Sequence, residues 1–175
     1  NEMLTHLGPR GREAMLRLAN ASWTRAEVPA AWRSAEIIAL LKKDKDPTPA
    51  KSYRPVSLTS NVAKLVERLV QARLNHAVER WGMLRPEQAG FRSCRSCGEQ
   101  LSLISQTISD GFVRRHFTVM LAVDFSAAFD RAWRDKFVKK LLDRGFPPPF
   151  VRWVRAFLSE RTAKVRVGDV LSAAR

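Results

Sequence analysis

The sequence predicts a mixed α+β chain, mostly helical with short antiparallel strands. Three stretches carry that expectation. Residues 62–80 repeat apolar side chains at helical spacing. Residues 34–58 read as a strand, a polar proline-bearing loop and a returning strand. Residues 118–123 form an apolar run, rich in β-formers and too short for a stable helix, that ends abruptly on the carboxylate of Asp124. That run reads as a buried strand opening to solvent at Asp124. An unpaired buried charge is costly, so a carboxylate there is expected to be paired or to hold a cation.

The 175 residues suffice for one domain or for part of a larger one. Hydrophobic residues make up 45%, enough for a core and too many for a disordered chain. There are 31 Lys+Arg against 17 Asp+Glu, a net charge of +14, which points to a polyanionic partner and first to nucleic acid. No apolar run approaches the roughly 20 residues that span a bilayer, and no membrane partner is expected. The chain starts without Met and lacks a signal-peptide pattern, and we expect a fragment of a longer protein. Cys94 and Cys97 are the only cysteines. They fit either half a zinc site completed by His76 or His116, or two thiols in the first turn of a helix. No second ligand pair occurs at the usual spacing, which favours the thiols.

In chain order, residues 10–27 read as a helix with Met15, Leu18, Ala19 and Ser22 with Trp23 on one face, ended by Val28-Pro29. Residues 34–41 are a strand, 42–51 a lysine-rich loop, and 53–58 a returning strand in which Pro55 biases Arg54 to extended geometry. This hairpin carries Lys42, Lys43, Lys45, Lys51 and Arg54, cations suited to phosphate. The helix over 62–80, capped by Ser60 or Asn61, presents Val62, Leu65, Val66, Leu69, Val70, Leu74 and Ala77 to a core. An irregular link, 84–93, contains Gly90 and Phe91, where a tight turn or a close approach to a partner is expected. Cys97, Leu101, Ile104 and Ile108 mark a further helix ending near Gly111. After Asp130 come a short amphipathic helix stopped at Gly145, a helix opened by Pro147-Pro148-Pro149, and an alternating strand over 162–168. From Arg131 onward there are twelve Lys+Arg and four Asp+Glu, so more than half of the excess charge lies in the last 45 residues. There is no internal repeat.

Four blocks carry a resemblance. The first comprises Ile37-Ile38-Ala39-Leu40-Leu41-Lys42-Lys43, then Ser52-Tyr53-Arg54-Pro55-Val56-Ser57-Leu58-Thr59-Ser60 and Lys64-Leu65-Val66-Glu67-Arg68-Leu69. The others are Gln88-Ala89-Gly90-Phe91-Arg92, Val123-Asp124-Phe125-Ser126-Ala127-Ala128-Phe129-Asp130 and Phe157-Leu158-Ser159-Glu160-Arg161. In this order they resemble reverse transcriptases of non-LTR (LINE-type) retrotransposons. Group II intron reverse transcriptases share some blocks, but the wording here is closer to the retrotransposons. The resemblance implies a partial right-hand polymerase: residues 1–33 as an N-terminal helical extension, and 34–175 as fingers and the first part of the palm. It implies RNA-directed DNA polymerisation by two-magnesium nucleotidyl transfer, with an RNA template, a DNA primer and deoxynucleoside triphosphates as partners. Asp124 is implied as the catalytic carboxylate and a Mg2+ ligand, Phe125 as a second ligand through its backbone carbonyl, and Phe129 as the gate against a ribose 2′-hydroxyl. Arg54 with Lys42 or Lys43 is implied to hold the triphosphate, and Gly90, Phe91 and Arg92 to touch template or primer. Asp130 is left as a helix cap or an ion-pair partner. Intracellular, nuclear action is implied by the resemblance alone.

The sequence also departs from that family. It contains no adjacent Asp-Asp pair and no Q-G motif after the Phe157–Arg161 block. The expectation is therefore a chain truncated before both motifs, inactive without the remainder of the polymerase polypeptide. The competing expectation is a non-catalytic nucleic-acid-binding remnant of a degraded element.

Overall fold

The computed structural model describes residues 2–174. It divides into two compact units. Unit 1 contains residues 1–68 and 131–175, and unit 2 contains residues 69–130.

Unit 1 begins with the helices α1 (Glu2–Thr5), α2 (Pro9–Arg25) and α3 (Ala30–Arg33). α2 starts with proline at its first position, where a missing N–H costs nothing. It ends earlier than the expected Val28-Pro29 boundary. Ala26 turns left-handed at φ 54°, and its N–H donates to the Trp23 carbonyl while the Glu27 N–H donates to the Ser22 carbonyl. This pair of bonds satisfies the last carbonyls of the helix. α3 leads directly into strand β1 (Ser34–Leu41), and β2 (Tyr53–Thr59) returns antiparallel to it, as the hairpin pattern predicts. After residue 131 come α6 (Arg134–Asp143), α7 (Pro148–Leu158), β3 (Thr162–Val167) and β4 (Val170–Leu171). The sheet order is β2-β1-β3-β4. Here the antiparallel expectation is corrected: β3 pairs parallel to β1, from Ser34 opposite Thr162 to Ile38 opposite Arg166. A parallel neighbour needs a long crossover, and the sequence between the two strands supplies it. β4 is too short to have been read from periodicity.

The core of unit 1 is aromatic. α7 buries Phe150, Val151, Trp153 and Val154, and packs against both α2 and α6. Trp23 meets Phe150 edge-on at 5.8 Å between ring centroids and lies 6.1 Å from Trp153, which stacks on Phe157 at 5.1 Å. Trp153 is the most buried large side chain, at 2% exposure, and its indole N–H donates to Ser22 Oγ at 3.1 Å. Ser22 Oγ in turn donates to the Glu27 carbonyl at 2.6 Å, so both buried polar groups are satisfied. The helices α1 to α3 thus belong to the same unit as β1 and β2.

The longest helix, α4 (Asn61–Arg80), spans the boundary between the units. Ser60 Oγ accepts the Ala63 N–H at its start, the cap expected from sequence. The buried stripe is narrower than predicted: Ala63, Val66 and Val70 are buried, whereas Leu65 and Leu69 are exposed. Unit 2 continues with α5 (Cys97–Val113). Ser96 caps it by accepting the Glu99 N–H at 3.2 Å. α5 ends at Val113, near Gly111 as expected. A Cβ at Gly111 would stand 2.5 Å from Thr118 Oγ1, so this glycine lets the descending chain approach the helix. Among the described residues of unit 2, Val70 is the only buried hydrophobic side chain.

The stretch 118–123 is not a buried strand. No described strand pairs with it, and Val119, Met120, Leu121 and Val123 are 70% or more exposed. The reason is that β propensity is realised only against a neighbour that takes up the backbone hydrogen bonds and one side-chain face.

Candidate active site

The expected nucleotide-binding cations Lys42, Lys43 and Arg54 lie in unit 1, at the loop end of the β1–β2 hairpin. Leu40 pairs with Arg54 in register and Leu41 with Tyr53, so the loop begins after the Leu41–Tyr53 pair, one residue beyond Arg54. The Lys42 N–H donates to the Ser52 carbonyl at 2.9 Å, and Lys42 Nζ donates to the Lys51 carbonyl at 2.6 Å. Lys42 therefore closes the hairpin mouth, while Lys43 and Arg54 are exposed and, among the described residues, pair with no acid. Asp46 shapes the loop by accepting the Thr48 N–H and hydroxyl at 3.0 and 2.9 Å. These bonds, the backbone one first, hold its carboxyl below the usual aspartate range. On the neighbouring strand, Arg166 pairs with Glu36 of β1. The Arg166 hydrogen bonds lower the Glu36 carboxyl below the ordinary glutamate range.

The Phe157–Arg161 block is built into this unit as a turn between α7 and β3. The Ser159 hydroxyl donates to the Arg155 carbonyl at 2.7 Å. Glu160 takes a left-handed φ of 48° and pairs with Arg33. Arg161 folds back with its guanidinium 4.9 Å from the Phe157 ring centroid, and donates to the Phe157 carbonyl at 3.1 Å. Each polar member of the block thus has an intramolecular partner, and together they aim the chain into the strand beside β1.

Unit 2 holds the other candidates. Asp124 is exposed, and its Oδ1 accepts the N–H of Phe125 at 2.9 Å. The backbone then turns, with Ala127 left-handed at φ 54°, and leaves Phe125 and Phe129 78% and 82% exposed. Asp130 does not cap α6, which starts from Trp133. No group of three or more His, Cys, Asp or Glu side chains stands ready for a metal ion among the described residues. Asp124 is a hard oxygen donor of the kind magnesium takes. One carboxylate and one carbonyl would not by themselves make the two-ion site that the resemblance implies. Cys94 and Cys97 are free and exposed.

The link after α4 is held by a clamp that sequence reading missed. Arg92 chelates Glu79 through Nε and a terminal nitrogen at 2.8 and 2.7 Å, and its other terminal nitrogen donates to the carbonyls of Arg85 and Gln88 at 3.0 and 3.1 Å. The side chain of Arg92 is only 12% exposed. The hydrogen bonds from Arg92, with the fields of Arg92 and Arg95, hold the Glu79 carboxyl below its ordinary range. Nothing in the spacing of Glu79 and Arg92 announces this pair. Gly90 lies in open space, and the left-handed residue is its neighbour Phe91, at φ 61° and 92% exposed. Beside Phe91 lies a cleft of about 420 Å3 that His76, Glu79, Leu84 and Arg92 also line.

Comparison with known proteins gives a consistent result. Residues 40–174 match the family described as Reverse transcriptase (RNA-dependent DNA polymerase). The chain is 33% identical over 147 residues to a probable RNA-directed DNA polymerase from transposon BS of Drosophila melanogaster, covering 84% of the chain. It is 35% identical over 145 residues to the RNA-directed DNA polymerase from mobile element jockey of the same organism, covering 83% of the chain. A Pol polyprotein from the type-1 retrotransposable element R2 of Popillia japonica is 27% identical over 144 residues, covering 82% of the chain and 20% of its own length. The chain spans 16% of the length of the first two relatives.

Proposed function

The chain belongs to the reverse transcriptase family, and on that premise we propose that it forms the fingers and the first part of the palm of an RNA-directed DNA polymerase from a non-LTR retrotransposon. The supporting observation is the family match over residues 40–174, which takes in the basic loop, β2 and the Asp124 stretch. The polymerase would copy the element's RNA, extending a DNA primer with deoxynucleoside triphosphates.

In this reading Lys43 and Arg54 bind the incoming triphosphate, as exposed cations on either side of the hairpin mouth, where Lys45 and Lys51 add positive charge. Lys42, committed to the Lys51 carbonyl, holds that mouth in shape. Asp124 and the carbonyl of Phe125 would supply two of the oxygen ligands for magnesium, which when bound would supply positive charge for the phosphates and the primer hydroxyl. Phe129 excludes a ribose 2′-hydroxyl by its bulk. Gly90 and Phe91 meet template or primer from their exposed turn, and Arg92 shapes that turn from inside. The remainder of the polymerase polypeptide supplies the other carboxylates.

Primer extension by the polymerase that carries these residues tests the reading. Asp124→Asn should abolish extension while leaving binding of an RNA–DNA hybrid in place. Extension surviving at the wild-type rate would remove Asp124 from catalysis. A wild-type polymerase that binds hybrid but never extends it would instead support the non-catalytic remnant.

A further inference from the structure

Phe91 and Phe129 are far apart in sequence, yet their rings meet edge to face, with centroids 6.3 Å apart and planes at 86°. This is the preferred geometry of an aromatic pair. Both rings otherwise stand in solvent, at 92% and 82% exposure, so the contact is no by-product of a packed core. It is held from the Phe91 side by the backbone. Phe91 keeps a left-handed φ of 61°, a conformation that any residue with a Cβ disfavours. The next residue, Arg92, offsets that cost with the two bonds to Glu79 and the two to the Arg85 and Gln88 carbonyls. A bidentate, charge-assisted pair with two further backbone bonds fixes the turn in one geometry.

A gate that selects by exclusion must resist displacement. A ring as exposed as Phe129, following a left-handed turn at Ala127, has few neighbours to brace it. Phe91 is the aromatic neighbour that limits its swing. We propose that Phe91 is a specificity-determining residue for sugar selection, acting through Phe129, and that Glu79 and Arg92 are the positioning residues that hold it there. The inference rests on the reading of Phe129 as the sugar gate.

The test is the ratio of kcat/KM for a deoxynucleotide to that for the matching ribonucleotide, measured by primer extension with the full-length polymerase. Loss of a template or primer contact slows both substrates alike and cancels in this ratio. Phe129→Ala should relax the ratio, which tests the gate itself. Phe91→Ala should relax it by about three- to tenfold, the weight of one aromatic pair, and Phe91→Tyr should restore it. The double variant should be no more permissive than Phe129→Ala alone, because the two rings act as one device. Glu79→Gln and Arg92→Lys should shift the ratio in the same direction, since neither keeps the bidentate pair. Phe91 is exposed, so its alanine variant should melt with the wild type.

If Phe129→Ala relaxes the ratio and Phe91→Ala does not, the gate stands and this inference falls. If Phe129→Ala leaves the ratio unchanged, the gate reading falls and takes this inference with it.

Discussion

At the residue scale, two positions show local geometry deciding what a side chain is for. Ala26 closes α2 in a left-handed conformation that glycine adopts freely. Ala26→Gly should therefore stabilise the chain by about 1 kcal/mol and raise its melting temperature by about 2–4 °C. Ser22 is the second. It accepts from the Trp153 indole and donates to the Glu27 carbonyl in a buried setting. Ser22→Ala leaves both groups without a partner and should cost about 1–3 kcal/mol in a urea titration. Sequence reading put the residue before Trp23 on an apolar face and had no means of pairing it with an indole so far along the chain. Arg92 teaches the same lesson. Its type and motif were plain in the sequence, but its partner Glu79 is set by the course of the turn.

At the element scale, the hairpin was readable because its signals are local: β-formers, a proline-bearing loop, and a proline that extends Arg54. The β1–β3 pairing was not, because register between distant strands is decided by what packs beneath them. The Glu36–Arg166 pair reports on that pairing and gives it a pH dependence. The Glu36 carboxyl is lowered in the folded chain, so its contribution is complete above the ordinary glutamate value and is lost as pH falls through the depressed one. The wild type should melt higher than Glu36→Gln at neutral pH, and the gap should close in acid. α5 offers a different test. Alanine normally improves on glycine within a helix, but a Cβ at Gly111 meets Thr118 Oγ1 at 2.5 Å. Gly111→Ala alone should therefore bring no gain, whereas Gly111→Ala with Thr118→Ala should recover about 0.5–1 kcal/mol.

At the scale of the whole molecule, burial and charge divide the chain differently. Among the described residues, unit 1 holds nearly all of the buried hydrophobic side chains. Amides of α6 and α7 should exchange with solvent far more slowly than those of 97–130, as mass spectrometry of deuterium uptake would read directly. The net charge of +14 predicts RNA affinity that falls linearly with salt on logarithmic axes. Each phosphate-contacting cation removed, Lys43 or Arg54, should reduce that slope by about 0.7 to 1. The charge and the motif residues were open to reading from sequence, since chemistry travels with residue type. The exposure of residues 118–123 was not, because an apolar run does not say whether its neighbour is present. The sheet order has one more consequence, for synthesis. β1 pairs first with β2, but about one hundred residues separate Thr59 from Thr162, where its parallel neighbour begins. At ribosomal rates of about 5–20 residues per second, the nascent hairpin waits roughly 5–20 s with one edge bare. During that interval the edge can template pairing with another chain, so yield from rapid overexpression should be limited by the hairpin and not by the aromatic core.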